Sequence, residues 1–280
     1  MEKRIMLRRL EENELIAKED KEKVKQLFEI SSKIEFGQIS RNMEGYILDD
    51  LKTPRCTSVL QMDGAKAGAL MEWAKRQVAG RIETILSDKL ADCREITIGD
   101  INRACQQGLI EPDKQKDEAA VVGTGEHDNV EHWLWGEKYK ETPALRMFIE
   151  AWKASEYTLV ATEIPVIWHN EKGEGFGGRM DILAYKDGKF YIGDNKTSRS
   201  IHESYGCQVA AYKAAVEQMS DIKIAGGTIF HIPNIENLND RQKKEFKKRG
   251  SLVQLKNLEE AFEHYRLLLG LYYKRNNKYF

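Results

Sequence analysis

Two aspartates and a lysine, carried on segments joined by a two-residue turn, are the first chemistry visible in this 280-residue sequence. The stretches 177–185 and 190–196 read as strands, and Asp187-Gly188 between two apolar runs is a β-hairpin turn. With that pair at the turn, Lys186 stands opposite Lys189 and paired positions sum to 375. Asp181 then faces Asp194, and Arg179 faces Lys196. Directly opposed residues have Cβ atoms about 4.5–5.5 Å apart on one face of a sheet. Two carboxylates so placed repel each other unless a cation sits between them, and a divalent ion with oxygen ligands is the natural occupant. Lys196 lies two residues beyond Asp194 and so on the same face. Two acids and a lysine converging on one point suit metal-assisted hydrolysis of a phosphodiester. The ion makes water a better nucleophile, and the ammonium holds that water and offsets developing charge. A solvent-facing sheet with a charged ladder would carry the same residues without the chemistry.

The elements that must position this hairpin follow from the pattern around it. Thr158 to His169 alternates as a strand, preceded by a helix over roughly 127–153. After the hairpin come a helix near 202–219, a strand over 222–232, a basic helix near 239–249, a short strand at 252–255 and a last helix from 257 to about 274. This is a mixed β-sheet core of αβββαβ type flanked by helices, an α/β fold. Upstream the sequence reads as helical. Residues 1–30 are charge-dense, with apolar residues from Met6 to Phe28. Thr53-Pro54 ends whatever precedes it, and Leu70 to Ile85 recurs at helical spacing. Asp100 is the expected N-cap of a further helix. The polar run 111–118, which contains Pro112, marks the expected boundary between a helical N-terminal region (1–118) and the core (119–280).

Gly178-Arg179-Met180-Asp181 followed by Gly193-Asp194-Asn195-Lys196-Thr197 resembles the bipartite motif of the PD-(D/E)xK nuclease superfamily, whose fold is restriction-endonuclease-like. Three further features resemble its RecB-like branch. Gly123-Thr124-Gly125-Glu126-His127 is similar to a G-T-x-x-H whose histidine supplies a metal ligand from a helix start. Glu163 matches an acidic residue on the first core strand, and Gln208 and Tyr212 match a Q-x-x-x-Y on the helix after the lysine. Cys56-Thr57-Ser58-Val59-Leu60 and Leu70-Met71-Glu72-Trp73-Ala74 look like the lead-in of phage and mitochondrial genome-maintenance exonucleases. The resemblance implies a metal site of Asp181, Asp194, His127 and the backbone carbonyl of Asn195, with Glu163 contributing. It implies one or two Mg²⁺ or Mn²⁺ ions, Lys196 positioning the water, and Gln208 and Tyr212 supporting the site. Asn195 departs from the aromatic or aliphatic residue common inside D-x-K. The cysteines that staple an iron–sulfur cluster in some relatives are missing, so none is expected.

The composition sets the limits. Hydrophobic residues make up 41% and charged residues 32%, enough apolar material for a core. No apolar run approaches the roughly 18 residues of a membrane span. The charged start has no signal-peptide core, and Cys56, Cys93, Cys105 and Cys207 show no C-x-x-C spacing. A cytoplasmic protein is expected. The formal charge is −1, yet eleven Lys/Arg against five Asp/Glu from residue 240 onward give a local excess of +6. Charge alone therefore neither makes nor excludes a polyanion partner. His127 and His132 are five apart and share no helix face, which disfavours a zinc-protease arrangement. Trp133, Trp135, Trp152 and Trp168 read mainly as core. The expected function is a metal-dependent DNA nuclease, an exonuclease on single-stranded or end-exposed DNA in replication, recombination or repair. A site-specific endonuclease would share the core, and a non-catalytic DNA-binding subunit is the alternative of another class.

Overall fold

The computed structural model describes residues 9–40, 43–92 and 95–276, with backbone only at 65–67 and 69; Met6 and Cys93 lie outside the described residues. Its centre is a five-stranded sheet in the order β4-β5-β6-β7-β8: β4 (Thr158–His169), β5 (Gly175–Lys186), β6 (Lys189–Lys196), β7 (Ile224–His231) and β8 (Leu252–Gln254). Only β6 and β7 run parallel, and helix α6 (Glu203–Met219) makes the crossover between them. Helix α5 (Pro143–Ser155) precedes β4, so the order αβββαβ is the one expected, and the whole is a mixed α/β core. Pro165 interrupts β4 without harm because β4 is an edge strand, where a missing N–H takes no bond from the ladder.

Helices cover the sheet on both sides. Val209, Ala210, Ala211 and Val216 of α6 pack in one cluster with Tyr265, Leu268 and Leu269 of α8 (Leu258–Asn276). Leu145, Phe148 and Trp152 of α5 form a second cluster with Ile182 and Phe230. Trp135 and Trp152 are buried and Trp168 stacks on Phe176, as core residues do. Basic helix α7 (Asp240–Arg249) opens with a capping box between Asn239 and Gln242.

The N-terminal part departs from the all-helical expectation. Helix α1 (Lys18–Ser31) buries Val24, Leu27, Phe28 and Ser31, one stripe at helical spacing. It is followed by a three-stranded antiparallel sheet, β1 (Glu35–Ser40), β2 (Met43–Leu48) and β3 (Leu51–Pro54), and by short helix α2 (Cys56–Leu60). These elements pack with the core, so the compact unit comprises the residues up to 62 and those from 127 onward. A second unit spans 63–126 and contains α3 (Gly64–Ala91) and most of α4 (Ile98–Leu134). This partition differs from a single cut at 118/119. Pro112 does not end a helix: α4 runs straight through it. The cost of an internal proline, about 3 kcal/mol, is offset only in small part by the Gln115–Glu111, Lys116–Asp113 and Lys114–Glu118 pairs around it, at about 0.3–0.5 kcal/mol each. Within this unit α3 and α4 lie antiparallel, with Arg81 near Glu111 and Lys89 paired to Asp100. They approach closely at Gly108, where a Cβ would lie 2.8 Å from Ile82. The cap of α4 is Thr97, with Asp100 as its reciprocal partner three residues on, so Asp100 is not itself the N-cap.

The expected helix over 127–153 is two helices. Gly136, at φ 67, stops α4, with the Glu137 N–H bonded to the His132 carbonyl, and Thr142-Pro143 starts α5 with the Thr142 hydroxyl accepting from Leu145.

Candidate active site

The site forms where the central sheet forks. Asp187 and Gly188 take φ values of 50° and 75°, as a type I′ turn requires, and set the expected register from Lys186–Lys189 to Ile182–Gly193. The ladder stops there, one step short of Asp181 and Asp194. Beyond it β5 pairs with β4 alone, while β6 continues along β7, where Lys196 stands beside His231. Arg179 accordingly does not face Lys196: it pairs with Pro165 and lies 3.8 Å from Glu163. At the fork the Asn195 N–H donates to Asp181 Oδ2 at 2.8 Å, so a side chain holds the parting strands together.

Three of the expected residues meet here. Ligand atoms of His127, Glu163 and Asp181 all lie within 4.8 Å of one another, with His127 Nδ1 3.6 Å from Asp181 Oδ2. His127 arrives from the last third of α4 rather than from a helix start, because Pro112 fails to break that helix. Glu163 arrives by a backbone distortion. It sits in β4 at φ 52, between the ladder pairs Thr162–Ile182 and Ile164–Met180. A left-handed conformation costs a non-glycine residue about 1–2 kcal/mol.

Asp194 stands apart from this cluster. It is 1% exposed, with Lys196 Nζ 2.5 Å from its Oδ2, and neither carboxylate oxygen takes a well-aligned hydrogen bond. Asn195 is buried too, and its side-chain oxygen takes no hydrogen bond. Lys196 also lies 5.0 Å from the centre of the Tyr205 ring. Behind it Gln208 Nε2 donates to the Tyr212 hydroxyl at 3.1 Å, both buried on α6. The Tyr212 ring rests on Gly178, where a Cβ would lie 2.4 Å from it. That contact is why a glycine precedes Arg179.

The electrostatics are those of crowded acids. Burial, then the charges of Asp181 and Glu131, raise the Glu163 pKa to about 8, with Arg179 opposing. Burial also raises Asp194; the Lys196 ammonium pulls it back, and Asp181 adds to the rise. For Lys196 burial acts downward, but Asp194 and Asp181 outweigh it and the pKa ends above the ordinary value. Glu163 crowded against Asp181 with a raised pKa, and Asp194 buried with Lys196 as its charged partner, leave carboxylate oxygens that fit a divalent cation, and a nitrogen–oxygen donor set suits a hard or borderline ion.

Several participants go beyond the expected set. Glu131, one turn from His127, accepts from the Thr162 hydroxyl, which accepts from Trp135 Nε1, both at 2.8 Å. This chain ties α4 to β4 next to Glu163. The i,i+4 spacing of His127 and Glu131 was the available signal. Tyr205 lies one turn before Gln208 on α6, and that helical spacing was the signal available for it.

The fold and this donor set define a class: an α/β protein with a candidate cation-binding cluster beside a buried lysine–aspartate pair, an arrangement that suits metal-assisted phosphodiester hydrolysis. A family model described as the PD-(D/E)XK nuclease superfamily matches residues 72–272, and the chain belongs to that superfamily. Membership implies a nuclease, and the superfamily typically uses divalent metal ions. No curated relative matches the chain. No described helix is long and apolar enough to cross a membrane.

Proposed function

We propose that this chain is a Mg²⁺- or Mn²⁺-dependent deoxyribonuclease of the RecB-like branch. In this reading it removes nucleotides from single-stranded or otherwise exposed DNA ends during replication, recombination or repair. The observation that carries the reading is the convergence of His127, Glu163 and Asp181 beside the Lys196–Asp194 pair. A divalent ion bound there supplies Lewis-acid polarisation of the phosphate and a more acidic water. His127, Glu163 and Asp181 would hold it, with Asp194 and the Asn195 carbonyl completing the set that the resemblance implies. Lys196 orients the attacking water and offsets charge on the phosphate as the bond breaks. Asp194 keeps that ammonium in place and charged. Gln208 and Tyr212 fix the helix on which Tyr205 covers the lysine. The chain keeps both acids and the lysine, which favours an enzyme over a non-catalytic binding subunit.

The test is a time course on end-labelled single- and double-stranded DNA with Mg²⁺, Mn²⁺ or EDTA, run beside a closed circular single strand. Cleavage of the linear strands that EDTA abolishes, with the circle spared, is the expected result. Full activity in EDTA would refute the metal site, and rapid nicking of the circle would make the protein an endonuclease.

A further inference from the structure

When β6 leaves β5 at Gly193, it vacates one edge of β5, because the other edge stays paired with β4 at Gly177–Ile167. Arg55, just past the end of β3, bridges that vacated edge at Gly177. Gly177 must be small because Tyr46 of β2 lies against it, where a Cβ would come 2.4 Å from the tyrosine. Across the small sheet Phe36 stands opposite Tyr46, with ring centroids 5.3 Å apart in an edge-on arrangement. The Arg55 guanidinium lies 4.7 Å from the centre of the Phe36 ring and also pairs with Glu44. Phe36 is 48% exposed, so this large aromatic contributes little to the core. Along β5, Gly177 precedes Asp181 by four residues, roughly 13 Å at about 3.3 Å per residue. Arg179 lies between them, bound to Glu163.

An exposed aromatic ring paired with a guanidinium, on a small sheet that meets β5 four residues before Asp181, has the chemistry that holds an unstacked nucleobase. We propose that Phe36 and Arg55, buttressed by Tyr46, form a stacking platform for a base of a single DNA strand whose phosphate lies at the His127–Glu163–Asp181 site. The proposal rests on the nuclease reading above and adds the side chains that would hold the single strand. A base within a duplex is already stacked and paired, so the platform selects single strands or frayed ends. Arg55 and Arg179 supply positive charge beside the strand's phosphates, against Glu44 and Glu163.

The test uses the full chain and a fluorescently labelled single-stranded oligonucleotide, with binding read by anisotropy in Ca²⁺. Phe36→Ala should weaken binding about 5- to 150-fold, the range for removing one base–aromatic stack. Phe36→Leu keeps apolar bulk for the small sheet and should lose nearly as much, while Phe36→Trp should bind like wild type. An abasic residue scanned along the oligonucleotide should reproduce the loss at one position in wild type and at none in the Leu variant. In cleavage assays with Mn²⁺ the Leu variant should raise KM and leave kcat at saturating strand unchanged. Wild-type affinity in the Leu variant, or an abasic scan equally costly in both proteins, would overturn the platform. The nuclease reading is judged separately, by whether wild type cleaves DNA at all.

Discussion

Glu163 offers the sharpest test of the site, because its environment makes a prediction about the protein's stability as well as its activity. Its carboxyl is raised from an ordinary 4.5 to about 8, first by burial and then by Asp181 and Glu131. A carboxyl with a raised folded-state pKa contributes stability that is complete below pH 4.5 and is lost as pH rises through 8. The full difference corresponds to about 5 kcal/mol at 1.36 kcal/mol per pH unit. The side chain is 33% exposed, and solvent screening reduces the expected loss to about 2–3 kcal/mol. Glu163→Gln removes the ionisation and keeps the shape. In EDTA-treated protein followed by tryptophan fluorescence, wild type should lose about 2–3 kcal/mol more than the variant between pH 5 and pH 8.5. In melting temperature this is roughly 4–10 °C. Asp194 titrates in both proteins and largely cancels in the difference. Mn²⁺ should restore most of the loss in wild type and much less in the Gln variant. Parallel pH profiles for the two metal-free proteins would refute the reasoning, since neither burial nor Asp181 would then raise the Glu163 carboxyl.

Lys196→Met should cost two to three decades in cleavage rate, about 3–4 kcal/mol of transition-state stabilisation, while DNA affinity in Ca²⁺ changes little. A near wild-type rate would remove the lysine from the mechanism. His127→Ala should weaken Mn²⁺ binding about 10- to 100-fold by titration calorimetry, the scale seen when metal-site partners are lost, without lowering the melting temperature of the metal-free protein. Gly178→Ala should destabilise by about 1–3 kcal/mol in urea melts, as overpacking does, because its methyl would lie 2.4 Å from the buried Tyr212 ring; unchanged stability would mean that Tyr212 moves aside freely.

Much of this site was legible because one turn propagates. Asp187-Gly188 sets the register of five consecutive pairs, and that alone brings the Asp181 and Lys196 segments to the same end of the sheet. Where the register stops was not legible, since it depends on Asp181 capturing the Asn195 N–H, a tertiary choice between partners. The left-handed backbone at Glu163 was equally hidden: the residue type disfavours it, and only the surrounding strands impose it. Helix ends divide the same way. Trp135-Gly136 and Thr142-Pro143 carried ordinary stop and start signals that the helical periodicity across 127–153 obscured. At Pro112, by contrast, a local breaker is overridden by tertiary packing along α3, where Gly108 lies against Ile82 and Arg81 near Glu111. The sheet β1–β3 gave little pattern to read because its burial is shallow, with Glu35 and Phe36 both exposed.

The fork itself explains why acids can gather at this point of the sheet. Inside a ladder the backbone groups satisfy one another, and most side chains buried on either face are apolar, as Ile182, Ile192 and Phe230 are. Where β5 and β6 part, a backbone N–H loses its strand partner, and an acidic side chain is the strongest acceptor that can replace it. Asp181 fills that role and is thereby fixed at the edge of the opening. Once it is fixed, every further carboxylate brought near it is repelled, and in Glu163 and Asp194 this repulsion adds to burial, the larger cause of their raised pKa values. The repulsion is a standing cost to the metal-free protein. It is relieved by a cation, so the interactions that weaken the empty fold become favourable on loading, and metal affinity and fold stability are linked through the same three acids.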